Sequence, residues 1–372
     1  FREFHHRTRS PDLGPAHRRA VVLVYVVTTA MQETIRGRAK RWVLSPNPAP
    51  AGADLIGRIF AARGLDSDEG RRLLDCTLAD LHDPATLPGV DLACERIMSA
   101  LQANEQIVIY GDYDVDGITA SAILYHTFIA IAGENANVRT YVPHRLEEGY
   151  GLNAEAIESL ADEGAKVIVS VDCGITAIHE ASVAKQLGVD LIITDHHNPQ
   201  SNGELPDAFA LVHPRLPGSA YPFGELCGAG VAYKLAWRLC VLADGSDKVS
   251  ATKRELLLEM LSFAALGTIA DMVPLVGENR ALTRFGLNRV QRSRFGGLRE
   301  LVAEAVELFT TAKGQHARQI AEGLHRQNLD RQNEERRIVE QAAKMAQDMG
   351  MTSPDRRAII LMHESWHPGV VG

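Results

Sequence analysis

The sequence predicts an α/β fold, a parallel β-sheet flanked by helices, and three observations carry that prediction. Short, β-branched apolar runs recur at Gln106–Tyr110, Val138–Val142, Lys166–Val171 and Asp190–Thr194. Stretches of helical periodicity over 117–132, 153–164 and 176–187 separate them. The runs are apolar almost throughout rather than on alternate residues, the pattern of strands buried on both faces. Strand–helix–strand alternation of this kind places helices on both sides of the sheet.

Composition bounds the function. The 372 residues are 45% hydrophobic and 23% charged, which excludes a disordered or fibrous chain and suits about two domains. Lys+Arg total 39 against Asp+Glu 47, a net charge of -8. Binding to nucleic acid through bulk positive charge is thereby disfavoured, while a nuclease whose carboxylates hold cations stays open. The cysteines, Cys76, Cys94, Cys173, Cys227 and Cys240, form no CxxC pair. A disulfide framework or zinc ribbon is not expected, and a reducing cytoplasm fits.

The elements follow in order. Residues 1–30 carry basic residues and then the apolar run Val21–Val27, which imitates a signal peptide. An upstream extension or a short strand is the preferred reading, with Met31 as a candidate start. The run is too short for a membrane span, which needs roughly 20 apolar residues, so no membrane partner is expected. Residues 31–104 read as a helical leader: Pro46, Pro48 and Pro50 stiffen its start, and LIGRIFAARGL and LACERIMSALQAN have amphipathic spacing. The domain carrying the sheet is expected over 105–300. Within it, Leu256–Ala270 is apolar nearly all round and is expected to be buried. Residues 301–350, rich in Gln, Arg, Glu and Ala, predict a long exposed connecting helix with charge pairs such as Arg336 and Glu340. The run RAIILM from Arg357 looks like the first strand of a second α/β domain, begun over 351–372 and unfinished.

The chemistry sits where the strands end. QIVIY runs into Asp112, Asp114 and Asp116, set at alternate positions between Gly111 and Gly117. In an extended segment, residues i and i+2 project to one side, so the three carboxylates would converge. An Asp-rich turn or a helix N-cap is an equal alternative, and a calcium loop lacks its twelfth-position Glu. The next strands end in Asp172-Cys173-Gly174 and in Asp195-His196-His197. Three successive strands delivering Asp, Asp and Asp-His-His to one sheet edge point to a ligand site, because open α/β sheets bind ligands there. Oxygen ligands with imidazole suit Mn²⁺ or Mg²⁺. Cys173 reads as a small packing residue. Asp271 closes the apolar helix alone, where a buried carboxylate needs a cation or strong donor and the helix C-terminus offers none.

GDYDVDG, VDCGI, TDHH and GTIADMVPL, in this order, resemble the DHH phosphoesterase superfamily, and within it the RecJ-type single-strand-specific 5′→3′ DNA exonucleases. PHRLEEGYGLN (Pro143–Asn153), CGAGVAYKL (Cys227–Leu235), LDRQNEERR (Leu329–Arg337) and WHPGVVG (Trp366–Gly372) are similar to segments of the same family. The resemblance implies that Asp114, Asp116, Asp172, His196 and Asp271 ligate two Mn²⁺ or Mg²⁺ ions, with Asp172 bridging. Asp112 and Asp195 would lie beside the site as catalytic residues, and His197 would face the scissile phosphate. Tyr110 stands where some superfamily members have a ligating histidine. The implied reaction is two-metal hydrolysis of single-stranded DNA to 5′-mononucleotides, in repair and recombination. A single-strand-binding protein and a helicase are candidate partners on the same basis.

Substrate contacts are expected from Arg145 with Gly149, Tyr150 and Gly151, against the alternative of an ordinary turn. Gly228 and Gly230 begin a helix and either present amides to an anion or permit close packing. His126, His144 and His213 are isolated and read as ordinary loop or core histidines. Departures from the family are the absence of an Asn-Ala-Ala-Gly-Arg motif before VELFTT (Val306–Thr311) and a DHH-associated domain that stops in its first motif. An incomplete substrate clamp and weak activity are therefore expected. The other readings are a different DHH phosphoesterase, acting on short oligonucleotides, cyclic dinucleotides or pyrophosphate, and a non-catalytic relative, which would have eroded ligands.

Overall fold

The computed structural model describes residues 34–36, 41–43, 47, 50–143, 151–246, 248–290, 292–296 and 298, with single helical positions at 337, 341, 344, 345 and 348. The chain divides into two compact units, Phe1–Pro46 with Gly314–Gly372, and Asn47–Lys313. In the first, β1 (Thr34–Arg36) and β2 (Arg41–Val43) pair antiparallel, with Ile35 opposite Trp42. The leader expected to be helical from residue 31 thus opens on a hairpin, because Thr34, Ile35, Trp42 and Val43 are residues that favour strands. Most of the connecting helix and all of 351–372 lie outside the described residues.

The second unit begins with α1 (Leu55–Ala62), capped by Asp54, and α2 (Ser67–Leu74), started by the reciprocal Asp66–Glu69 capping box. After α3 (Val90–Ala103) comes the alternation that the apolar runs predicted: β3 (Ile107–Gly111), α4 (Val115–Ala132), β4 (Val138–Tyr141), α5 (Ala154–Asp162), β5 (Val167–Val171), α6 (Ile178–Gln186) and β6 (Asp190–Thr194). A short β7 (Ala210–Val212) follows, then α7 (Gly228–Asp244), α8 (Ala251–Ala270) and α9 (Gly277–Val290).

All five strands from β3 onward are parallel, in the order β4-β3-β5-β6-β7. The chain steps from β3 outward to β4, then returns to the other side of β3 to lay down β5. That reversal opens a crevice outside the carboxyl ends of β3 and β5, where an open α/β sheet takes its ligand.

Alternation along each strand divides the core. Ile107, Ile109, Val167, Val169, Val171 and Ile192 face a large cluster that includes α3, α4, α7 and α8, with Leu282 of α9 behind. Val108, Tyr110, Ile168, Leu191 and Ile193 face the other side, covered by α5 and α6. Among the described residues α4 is long and apolar enough to cross a membrane, and it packs against β3, α7 and α8 with half of its length buried. The helix expected to be buried to its end, α8, surfaces in its last turn: Ile269 is 41% exposed. A buried ion pair, Lys234 of α7 with Glu278 of α9, ties the helical layer together. Glu278 also accepts the Tyr221 hydroxyl at 2.6 Å and the His82 backbone N–H at 2.8 Å.

Candidate metal centre

β3 stops at Gly111 and α4 starts at Val115, so Asp112, Asp114 and Asp116 do not lie on one extended segment. The expected i, i+2 alignment is corrected by this early helix start. Asp112 is buried directly beyond the strand. Asp114 is the N-cap of α4, its Oδ1 accepting the Gly117 N–H at 2.9 Å. Capping and proximity to the site therefore coexist in one residue. Asp116 lies in the first turn of α4, where a helix N-terminus favours negative charge.

Asp116 is buried, and a second helix N-terminus supports it. Its Oδ2 accepts the Gly228 N–H at 2.6 Å and its Oδ1 the Ala229 N–H at 2.9 Å. This corrects the expectation that Gly228 and Gly230 bind substrate. The anion at the start of α7 is the Asp116 carboxylate, and the Gly230 N–H goes to Cys227 Sγ at 3.4 Å. Close packing, the other reading of these glycines, is what the structure has. A Cβ on Gly228 would fall 2.5 Å from Asp172 Oδ1, and one on Gly267 of α8 would fall 2.4 Å from Asp116 Oδ1.

Asp172 follows β5 with φ +62°, a left-handed conformation uncommon outside glycine. Its backbone N–H donates to Thr194 O at 2.9 Å, which holds the turn against β6. Asp172 Oδ1 lies 3.1 Å from His196 Nε2. Both atoms are buried and neither makes a hydrogen bond. His196 Nε2 is also 3.6 Å from Asp271 Oδ2 and 3.8 Å from Asp116 Oδ2. Asp271 is the C-cap of α8 and half-buried, not enclosed as the apolar sequence around it suggested, because the last turn of α8 reaches the surface.

Asp195 acts inward. Its Oδ1 accepts the N–H groups of His196 at 2.7 Å and His197 at 3.1 Å and lies 2.7 Å from His197 Nδ1. Its Oδ2 accepts the Ile175 N–H at 2.9 Å. The His197 ring consequently stands at the surface, 44% exposed. Tyr110 turns to the opposite sheet face, where its hydroxyl donates to Gly151 O at 3.1 Å. Arg145 and Tyr150 lie outside the described residues.

Among the described residues, the electrostatics are those of a carboxylate cluster in which acidic groups outnumber basic ones. Burial, followed by the charges of Asp116, Asp114, Asp195 and Asp112, pushes Asp172 up to about 11. Burial raises Asp116 as well, and burial followed by Asp116 raises Asp271 to about 6. Burial and the neighbouring His197 push His196 down to about 4, leaving it the neutral imidazole a cation requires. Asp195 differs: burial works to raise it, but the bond from His197 and the amides of Ile175 and His197 outweigh burial and hold it low. His197 is raised, first by its bond to Asp195.

Potential ligand atoms gather in three overlapping groups: Asp116, His196 and Asp271; Asp112, Asp114 and Asp172; and Asp172, His196 and His197. Within each group the atoms lie within 4.8 Å of one another. Asp172 and His196 each belong to two groups. The orphaned Asp172 Oδ1 and His196 Nε2, together with hard oxygen donors around one imidazole, fit Mn²⁺ or Mg²⁺. Sequence reasoning missed Gly267, whose place between two apolar helix turns signals close approach only once Asp116 is known to face it. His213, read as an ordinary loop or core histidine, is fully buried and lies 2.7 Å by its Nε2 from the His197 carbonyl oxygen.

A family model, the DHH family N-terminal domain, matches residues 106–268. The chain is 38% identical over 351 residues to the single-stranded-DNA-specific exonuclease RecJ of Bacillus subtilis (strain 168), covering 86% of this chain and 42% of that relative. It thus spans less than half the length of that relative. A crystal structure of exonuclease RecJ bound to manganese superposes with a TM-score of 0.56 at 33% identity, over 79% of this chain and 77% of that one. RecJ from Thermus thermophilus in complex with Mn²⁺ gives a TM-score of 0.57 at 30% identity, over 84% and 46% of the two chains. At this identity and coverage, the chain belongs to the RecJ family of DHH-domain proteins.

Proposed function

We propose that this protein is a metal-dependent, single-strand-specific 5′→3′ DNA exonuclease that releases 5′-mononucleotides. The observation that carries the reading is the meeting of Asp172 Oδ1 and His196 Nε2, both buried and without hydrogen bonds, among the carboxylates at the β3/β5 crevice. In this reading Asp116, His196, Asp271 and Asp172 would hold one divalent cation, and Asp114 and Asp172 would hold a second, with Asp112 alongside. Bound Mn²⁺ or Mg²⁺ would supply an acidified water and offset charge on the phosphoryl oxygens. The chain's own part is to keep His196 neutral by burial, to aim Asp116 through the amides of α7, and to present His197 toward the phosphate. Asp195 keeps the His197 ring in place through Nδ1, which turns Nε2 outward.

The same reading takes 105–300 as the catalytic domain, after a leader over 31–104, with 301–350 as a connecting segment and 351–372 as part of a DHH-associated domain. A cytoplasmic location, a role in repair and recombination, and pairing with a single-strand-binding protein or a helicase belong to the same reading; the names of the relatives support only its single-strand-specific exonuclease activity. The test is hydrolysis of a 5′-phosphorylated single strand with Mn²⁺, beside the same sequence as duplex and beside the Asp172→Ala variant. Mononucleotides from the single strand alone, lost with chelator and with Asp172→Ala, are expected. Equal digestion of duplex, or turnover of cyclic dinucleotides or pyrophosphate in place of single-stranded DNA, would overturn the reading.

A further inference from the structure

β7 carries no carboxylate, yet it ends at the same sheet edge as the acidic strand ends. Its register on β6 sets Thr194 opposite Val212, and the Asp195 N–H donates to Val212 O at 3.2 Å. The segments beyond the two strands therefore run side by side, Asp195-His196-His197 next to His213-Pro214-Arg215. His213 Nδ1 accepts the Arg215 backbone N–H at 3.0 Å, while Nε2 lies 2.7 Å from His197 O. A ring nitrogen that accepts an N–H is unprotonated, so the other nitrogen carries the proton and donates to the carbonyl. The Arg215 guanidinium donates to the neighbouring carbonyl, that of His196.

We infer that His213 and Arg215 are positioning residues for the metal centre, holding the His197 and His196 carbonyls and so fixing the peptides from which both imidazoles project. Asp195 already holds the N–H groups of the same two residues. Residues 195–197 belong to neither strand nor helix, and these bonds stand in for a ladder. With amides held on one side and carbonyls on the other, His196 and His197 have little freedom to turn. The inference rests on the reading of His196 as a ligand and His197 as the residue facing phosphate.

Four variants test it by Mn²⁺ affinity, read from the electron paramagnetic resonance of free Mn²⁺ well below each variant's unfolding temperature. His213→Gln keeps a donor near the Nε2 position, His213→Asn keeps only the acceptor toward Arg215, and His213→Phe keeps neither. Removal of an outer-shell support costs about 10- to 100-fold in metal affinity. The Asn and Phe variants are expected to show that loss, Gln to recover most of it, and Arg215→Ala to lose affinity through the His196 carbonyl. A purely structural role would lower thermal stability without separating Gln from Asn. Equal Mn²⁺ affinity across the three His213 variants would overturn the inference.

Should the Asn and Phe variants fail to fold, long-range ¹H–¹⁵N spectra of the metal-free wild-type protein decide. A neutral Nε2–H tautomer for His213 is expected, and an Nδ1–H tautomer or a cationic ring overturns the clamp. Neither readout uses DNA. Mn²⁺ binding without hydrolysis of single strands would remove the proposed activity and leave the clamp standing.

Discussion

Replacing Gly228 by alanine perturbs the centre through a single methyl group. The added Cβ would lie 2.5 Å from Asp172 Oδ1, 2.6 Å from its Cβ and 2.7 Å from its Cγ. Carbon atoms in contact sit about 3.5–4.0 Å apart, so Asp172 must retreat by about 1 Å. A change of rotamer cannot supply that retreat, because the Asp172 Cβ is itself obstructed. The backbone at φ +62° has to move, and with it the carboxylate that two of the ligand groups share. Overpacking costs about 1–3 kcal/mol, and the gain of alanine over glycine is small here because Gly228 is the first residue of α7 and not in the helix interior. Net destabilisation is then about 1–3 kcal/mol, a fall in melting temperature of at most about 12 °C. A 1 Å misplacement near reacting groups, in contrast, costs about 100-fold in rate. Calorimetric titration with Mn²⁺ and single-strand hydrolysis, run beside a thermal melt, separate the two effects. A folded Gly228→Ala protein with wild-type Mn²⁺ affinity and wild-type turnover would refute the reasoning.

Further perturbations follow from the same contacts. Asp172→Asn should abolish Mn²⁺ binding yet raise the melting temperature of the metal-free protein. The Asp172 carboxyl is raised from 3.8 to about 11, so the folded state binds the extra proton and loses stability as pH rises between those values. The advantage of Asp172→Asn over wild type should therefore vanish near pH 4 and grow toward pH 9, and a pH-independent difference would contradict the assigned cause. Asp195→Asn should lower the His197 pKa from its raised position, read by NMR titration, since the bond to Asp195 is the largest cause of the rise. Lys234→Met strands the buried Glu278 and should cost about 3–5 kcal/mol in chemical denaturation, with much of the loss recovered in Lys234→Met/Glu278→Gln.

The sheet was legible because β3, β5 and β6 are buried on both faces, and nothing but continuous apolar runs survives there. β7 escaped notice: three residues, of which only Ala210 and Val212 are buried, leave no periodicity to see. His213 reads in sequence only as an ordinary loop or core histidine, since its meaning depends on lying beside a chain segment 16 residues earlier. The acidic strand ends were visible as residues, but their geometry was not. Whether Asp112, Asp114 and Asp116 alternate along a strand or turn into a helix depends on where α4 begins, and Asp114 decides it by capping. Gly228 was noticed for its amides, whereas the anion they meet comes from Asp116, 112 residues away in sequence. Asp271 read as enclosed because its sequence neighbours are apolar, yet Ile269 and Met272 are exposed beside it.

Anomalous diffraction at the manganese edge, from crystals of this protein grown with Mn²⁺, tests the central claim most directly. The account expects two manganese peaks outside the carboxyl ends of β3 and β5, one beside Asp116, His196 and Asp271, the other beside Asp114, with Asp172 touching both. Peaks elsewhere, or a single ion with Asp172 turned away from it, would contradict it.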